Sequence, residues 1–195
     1  MRRQRPAKAS KLTRGVWAAA ELGKVRVVAA SVEAADSIDQ AWRPRRQGDD
    51  IHRAWRWAEI VPDMREAFVV RADQAPIAIW ASKVGSPIAL AGRRYYRLDY
   101  LEVDPARRGD GQTSTLLLGL IAKRAEEHGA SGVVLAAFSI DRLLQAYEYL
   151  GAERGAPPGW NHPPQLVPLT FNAAALHRLR ELIDDLQEDP PGALP

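Results

Sequence analysis

Residues 101–113 read Leu-Glu-Val-Asp-Pro-Ala-Arg-Arg-Gly-Asp-Gly-Gln-Thr. An apolar, β-prone run ends at Pro105, and a turn rich in Arg and Gly follows. From Thr113 to Glu127, Leu117, Leu120, Ile121 and Ala125 recur at helical spacing. Strand, tight loop and helix N-terminus in succession make an anion-binding geometry. The first backbone N–H groups of a helix have no partner inside it, and the helix dipole adds partial positive charge there. Gly109 and Gly111 admit positive φ and close approach of the backbone to a diphosphate, and Arg107 and Arg108 supply mobile positive charge. Spacing narrows the class. A P-loop requires Lys-Ser/Thr after its last glycine, where Gln112-Thr113 stands, and a dinucleotide-binding loop requires a third glycine, where Ser114 stands. Neither pattern fits.

The pattern Leu-x-Val-x-Pro-x-x-Arg-Gly-x-Gly resembles the acetyl-CoA-binding motif of the GNAT superfamily of N-acetyltransferases, Arg/Gln-x-x-Gly-x-Gly/Ala. Arg108-Gly109-Asp110-Gly111-Gln112-Thr113 stands in its place, with Thr113 where Gly or Ala is usual and an acidic Asp110 where the family carries basic or neutral residues. A second segment carries the resemblance further. Gly132 to Phe138 is a continuous apolar run and reads as a buried strand. Ser139 to Leu150 reads as a helix closed by Gly151. Its end, Ala146-Tyr147-Glu148-Tyr149-Leu150-Gly151-Ala152, is similar to the Phe-Tyr-Glu-Lys-Leu-Gly-Phe ending of a GNAT helix. The resemblance implies that Tyr147 lies near the thioester sulfur and gives a proton to the departing thiolate. It also implies pantetheine contacts early in this helix, where Ser139 and Asp141 are the nearest polar residues. Without the resemblance, the loop is an ordinary β–turn–helix connection and Tyr147 a core aromatic.

Composition sets bounds. The chain has 195 residues, enough for one domain with a sizeable core, and its 46% hydrophobic and 26% charged residues suit a globular protein. No apolar run reaches the length of a membrane span, and Gly15 to Ala20 is too short and interrupted for a signal-peptide core. With no Cys there is no disulfide, no Cys-ligated zinc and no thiol nucleophile, so the expected location is cytoplasmic. The net charge of +3 suits an anionic cofactor without requiring one. Four scattered histidines show no metal-binding spacing, and no metal is expected. Three of the six Trp interleave with Arg between Trp42 and Trp57. Packing under a helix–loop–helix accounts for them better than nucleobase stacking, and no nucleic-acid signature exists beyond charge.

Along the chain, residues 1–14 read as a basic flexible tail. Val25–Ala30 reads as a strand, Val32–Trp42 and Asp49–Trp57 as helices, and residues 67–71 and 76–81 as a hairpin. Ile88–Leu90 fits a short strand, Tyr95–Val103 a long one, and Gln165–Phe171 a final one. The order β-α-α-β-β-β-α-β-α-β is that of the GNAT fold: an α/β (α+β) mixed, mostly antiparallel sheet flanked by helices. The expected domain is residues 15–171, followed by an additional helix and tail over 172–195. There Asn172 is a cap, and Leu176, Leu179, Ile183 and Leu186 form one stripe. The stripe fits packing on the same domain or a homodimer through this helix.

Acyl transfer from a thioester to an amine needs a held thioester, a polarised carbonyl, and a proton moved off the amine and onto the sulfur. The resemblance implies acetyl-CoA as cosubstrate and a small-molecule or peptide amine as acceptor. It assigns the diphosphate to Arg107–Thr113, and the pantetheine and thioester carbonyl to the backbone near Leu101 and Val103. Strand 132–138 then splays away to open a slot. Alternation puts Asp99, Leu101 and Val103 on one strand face and Tyr100 and Glu102 on the other. Asp99 is the first candidate for general base and Glu102 the second, the rival reading being that Asp99 pairs with Arg94 or Arg97. A GNAT-like module that binds CoA without turnover is the alternative function.

Overall fold

The computed structural model describes residues 25–48, 51–84, 87–109 and 111–188. The expected basic tail, Asp110 and the residues after Glu188 lie outside them. In chain order the elements are β1 (Val25–Ala29), α1 (Val32–Trp42), α2 (Trp57–Ile60), β2 (Glu66–Ala72), β3 (Ala75–Ser82), β4 (Ile88–Leu90), β5 (Arg93–Leu98) and β6 (Tyr100–Val103). There follow α3 (Gln112–Glu127), β7 (Gly132–Ala137), α4 (Asp141–Tyr149), β8 (Glu153–Arg154), β9 (Val167–Phe171) and α5 (Ala173–Glu188). Two sheets form, ordered β1-β2-β3-β6 and β4-β5-β7-β9-β8. Every pairing is antiparallel except β5 with β7.

Strand alternation builds two cores. Val69, Ile79 and Ala81 face α1 and α2 and pack with Ala35, Ile38, Trp42 and Trp57. Val70, Ala78 and Trp80 face the opposite way, into the larger core with α3, α4 and α5. Helix α1 starts where Ser31 Oγ accepts from the Ala34 N–H at 3.2 Å, a side-chain cap. The hairpin turns on two residues, Asp73 and Gln74, with Asp73 at φ 51°.

The additional C-terminal helix packs within the chain. Asn172 Oδ1 accepts from the Ala175 N–H at 3.0 Å and caps α5. Leu176, Leu179 and Ile183 are buried in the larger core, while the Leu186 side chain lies outside the described set. Gly119 of α3 makes the contact close: a Cβ there would sit 2.3 Å from Ile183 Cγ1 and 2.8 Å from the Leu179 carbonyl oxygen. No helix among the described residues is long and apolar enough to cross a membrane.

Two expectations are corrected. The helix expected over Asp49–Trp57 does not form across its described part: residues 51–54 are turns and the helix begins at Trp57. Side chains take the carbonyls that a helix would use, Arg56 Nη1 donating to Arg53 O at 3.2 Å and Arg46 Nη1 to Trp55 O at 3.1 Å. The single strand expected over Tyr95–Val103 is two strands in two sheets, parted at Asp99. By register Tyr100 faces Ala81, and the Asp99 N–H also bonds the Ala81 carbonyl at 3.0 Å. Two residues against one is a β-bulge, and it redirects the chain from one sheet to the other.

Candidate active site

The bulge makes the site. β5 and β7 stay paired through Leu98 and Leu135. Beyond that point β6 follows β3, while β7 continues beside β9 to Ala137. A cavity of about 1250 Å³ opens where they part, lined by β6, the end of β7 and the start of α3. That exceeds the roughly 300–1,000 Å³ usual for one drug-sized ligand and leaves room for two reactants.

One end is the phosphate-loop geometry. Gly109 and Gly111 adopt φ 88° and 72°, in the left-handed region that favours glycine. Gly111 is the residue from which α3 starts, and Thr115 returns both its N–H and its Oγ to the Gly111 carbonyl, at 3.2 and 2.7 Å. Arg108, Gly109, Gly111, Gln112 and Ser114 line the cavity, so the positive end of the helix dipole opens onto it. Arg107 is half-buried in the Pro105–Arg107 turn and does not line the cavity, and Thr113 is wholly buried and does not line it either. The Arg108 guanidinium turns back onto the protein, donating to Glu102 Oε1 at 2.8 Å and to the Val103 carbonyl at 3.3 Å.

The edge of β6 is the second feature. Asp104 N–H bonds to Ile77 O across the ladder at 2.9 Å. Partners alternate along an antiparallel strand, so Leu101 and Val103 turn their N–H and C=O groups to the other side. β6 is the last strand of its sheet there, and both residues line the cavity.

Helix α4 brings Tyr147 to the same cavity. Its ring is buried, edge-on to Phe171 with centroids 6.4 Å apart. Burial pushes its pKa up to about 12, so the hydroxyl keeps its proton at neutral pH. That hydroxyl has no hydrogen-bond partner among the described residues. Ser139, expected to touch the cofactor, is exposed and is not among the residues lining the cavity, whereas its neighbours Phe138 and Ile140 are.

The two candidate carboxylates have different surroundings. Asp99 lines the cavity, with Oδ1 on Arg97 Nη2 at 2.6 Å and Oδ2 accepting from the Lys83 N–H at 2.8 Å. The pairing with Arg97 is the rival reading set out from the sequence. A carboxylate offers about four lone-pair sites, so Asp99 retains acceptor capacity. Glu102 does not. Oε1 accepts from Arg46 Nε at 2.9 Å and Arg108 Nη2 at 2.8 Å. Oε2 accepts from Arg46 Nη2 at 2.7 Å and Trp57 Nε1 at 2.6 Å. Its side chain is 0% exposed. All four sites are used, so Glu102, although it too lines the cavity, is held by Arg46, Arg108 and Trp57 and has the surroundings of a structural anchor. Burial works against the Arg46 charge, but Glu102 and Asp39 outweigh it and hold its pKa above that of a free arginine.

The other end of the cavity is aromatic. His52 meets Trp55 edge-on at 4.5 Å, and Trp55 meets Tyr100 at 5.4 Å. All three line the cavity, as do Trp160 and His162 in the loop before β9. Trp42 and Trp57 are core residues, so the Arg/Trp segment divides between packing and cavity wall. Sequence reasoning missed Tyr100, Lys83 and Arg142 as cavity residues. None carries a local signal except Arg142, in the first turn of the helix already singled out.

No family model matches the chain, and no curated protein matches it either. Solved structures do. The fold is similar to an acetyltransferase of the GNAT family from Staphylococcus aureus Mu50, 11% identical, TM-score 0.56, covering 77% of this chain and 99% of that one. It is similar to RimJ of Mycobacterium smegmatis, solved in complex with CoA-disulfide, at 14% identity and TM-score 0.55, covering 81% and 88%. It also matches the ribosomal-protein-S18-alanine N-acetyltransferase of Escherichia coli, 13% identical, TM-score 0.52, covering 77% and 94%. The chain has the GNAT fold.

Proposed function

We propose that the protein is a cytoplasmic acetyl-CoA-dependent N-acetyltransferase that moves the acetyl group directly to a primary amine with both reactants bound. One observation carries the reading. The unpaired edge of β6 and the N-terminus of α3 open on one cavity with room for two reactants. The residues suit the cosubstrate: a Cβ at Gly109 or Gly111 would meet nothing within 4 Å, which leaves space over the helix terminus for a diphosphate. Gly109, Gly111, Gln112 and Ser114 would hold that diphosphate through backbone N–H groups, with Arg108 adding charge. The edge at Leu101 and Val103 would hold the amide-bearing arm. When bound, acetyl-CoA supplies a thioester whose carbonyl carbon takes the amine. The chain's own part is threefold. A β6 N–H polarises the carbonyl, Asp99 accepts the amine proton with its remaining lone pairs, and the neutral Tyr147 hydroxyl gives its proton to the sulfur. The chain has no cysteine, so no thiol is available for an acyl-enzyme.

The reading is tested by thermal shift with acetyl-CoA, then thiol release across an amine panel. Acetyl-CoA should raise the melting temperature where adenosine does not, and at least one amine should release free thiol. No stabilisation by acetyl-CoA refutes the reading. Stabilisation without thiol release from any amine leaves only a CoA-binding module.

A further inference from the structure

We infer that the acceptor is an aromatic α-amino acid: a primary amine on a carbon that also carries a flat ring and a carboxylate. The inference rests on the acetyl-transfer reading and concerns the far end of the same cavity. Two observations carry it.

The first is the wall. His52, Trp55 and Tyr100 form an edge-to-face array, with Trp57 behind at 5.8 Å from Trp55. Trp57 is fully buried and fixed by Glu102, while the three in front are half-buried and line the cavity. Arg46 holds the Trp55 carbonyl at 3.1 Å, so the wall has a rigid backing. A preformed aromatic surface favours a ring, which gains offset or edge-on packing beyond its area.

The second is charge. Among the described residues two carboxylates line the cavity, Asp99 and Glu102, and both are already held, Asp99 by Arg97 and the Lys83 N–H and Glu102 by Arg46, Arg108 and Trp57. Lys83 also lines the cavity, is exposed, and has no carboxylate partner among the described residues. Arg97 and Asp99 cancel, and the Lys83 ammonium is left with no counter-charge among the described residues. A polyamine or an aminoglycoside brings several positive charges and would need several uncommitted carboxylates, whereas among the described residues the two that line the cavity are already held. An acceptor whose carboxylate lies against Lys83 balances the site, with the ring on Trp55 and Tyr100 and the amine toward Asp99. Transfer to a neutral amine forms one C–N bond and breaks one C–S bond. The amine proton is lost as the sulfur gains one, giving the N-acetyl amino acid and free thiol.

The test uses the full chain with acetyl-CoA and measures kcat/KM for phenylalanine, tryptophan, phenylalaninamide, glycine, spermidine and kanamycin. Calorimetric titration of phenylalanine into the CoA-bound protein gives a readout apart from turnover. Phenylalanine and tryptophan should exceed glycine, spermidine and kanamycin by at least about tenfold, the discrimination expected of a lost pocket contact. Phenylalanine should exceed its amide by about 10- to 100-fold, the range of a charge-assisted hydrogen bond. Lys83→Ala should collapse that ratio toward one, and Trp55→Leu should collapse the ratio of phenylalanine to glycine. Preference for spermidine or kanamycin would overturn the acceptor assignment and leave acetyl transfer standing. Preference for the amide would overturn it in favour of a peptide N-terminus. If no amine turns over, phenylalanine binding that Lys83→Ala abolishes keeps the pocket assignment while acetyl transfer fails. Absence of phenylalanine binding together with absence of its turnover overturns the assignment outright.

Discussion

Replacing Glu102 by Gln separates an anchor from a base. The carboxylate ties three parts of the chain: the Arg43–Arg46 turn through Arg46, α2 through Trp57, and the phosphate loop through Arg108. Each oxygen accepts from two donors. A glutamine presents an NH₂ in place of one oxygen, and whichever way the amide turns, two donors then face a donor. Arg46 also loses one of its two buried counter-charges and keeps only Asp39, at 2.9 Å. Breaking a buried ion pair by removing one partner costs about 3–5 kcal/mol, because a buried charge is left uncompensated. For a chain of this size each kcal/mol lowers the melting temperature by roughly 2–4 °C. The expected drop is therefore about 6–20 °C by circular dichroism, together with weaker CoA binding as Arg108 loses its tether. A catalytic base predicts the reverse, with kcat lost at an unchanged melting temperature. A Glu102→Gln protein melting within about 2 °C of the parent would refute the anchor argument.

Three further outcomes follow from the same geometry. Gly111→Val puts a β-branched residue at φ 72°, where nothing within 4 Å would clash with its Cβ, so the cost is backbone strain of about 1–3 kcal/mol. CoA affinity, measured by calorimetry, should nevertheless fall by at least about tenfold as the side chain fills the space over the helix terminus. Tyr147→Phe should lower kcat about 100-fold while CoA affinity and melting temperature barely move, since the hydroxyl has no hydrogen-bond partner among the described residues to lose; full activity would make Tyr147 a packing residue only. Away from the cavity, burial pushes the Glu66 carboxyl pKa up, but hydrogen bonds from Arg124, Tyr96 and His128 outweigh it and hold the value below the usual range. A lowered pKa contributes stability that is complete above about pH 4.3, the unfolded value, and is lost as pH falls through the folded one. Glu66→Gln should thus be less stable than the parent at pH 7, with the gap closing below about pH 4; a gap that stays constant from pH 7 to pH 3 would show that the carboxylate charge is not the source.

Much of this was legible because it is local. Two glycines flanking one residue between a strand and a helix demand positive φ, and both adopt it. The stripe of α5 read directly as buried positions at Leu176, Leu179 and Ile183. What escaped is non-local. Nothing in Tyr-Arg-Leu-Asp-Tyr-Leu marks Asp99 as the end of one strand, because every neighbour is a good β-former. The break arises from β5 pairing with β7 while β6 pairs with β3. The helix expected before Trp57 lost its carbonyls to arginine side chains, a competition that periodicity does not register. Alternation did separate Glu102 from Leu101 and Val103, yet its anchoring partners Arg46 and Trp57 stand 56 and 45 residues away.

That distant anchoring explains how a slot can exist at all. A strand of four residues with one edge unpaired has half the ladder hydrogen bonds of an interior strand, and an open edge invites another strand to close it. The cavity requires that β7 not close it. β6 must therefore be held by something other than a second neighbour. Its ends and its outer face supply that. The Asp99 carboxylate fastens the start to the Lys83 N–H at 2.8 Å. Glu102 fastens the face with four donors. Asp104 fastens the end, accepting from the Ala106 N–H at 3.0 Å and Arg45 Nη1 at 3.3 Å. Three acidic residues at intervals of three and two along one short segment look like a solvated strand in the sequence. In the fold they substitute for a missing strand, and the backbone groups of Leu101 and Val103 stay turned toward the cavity.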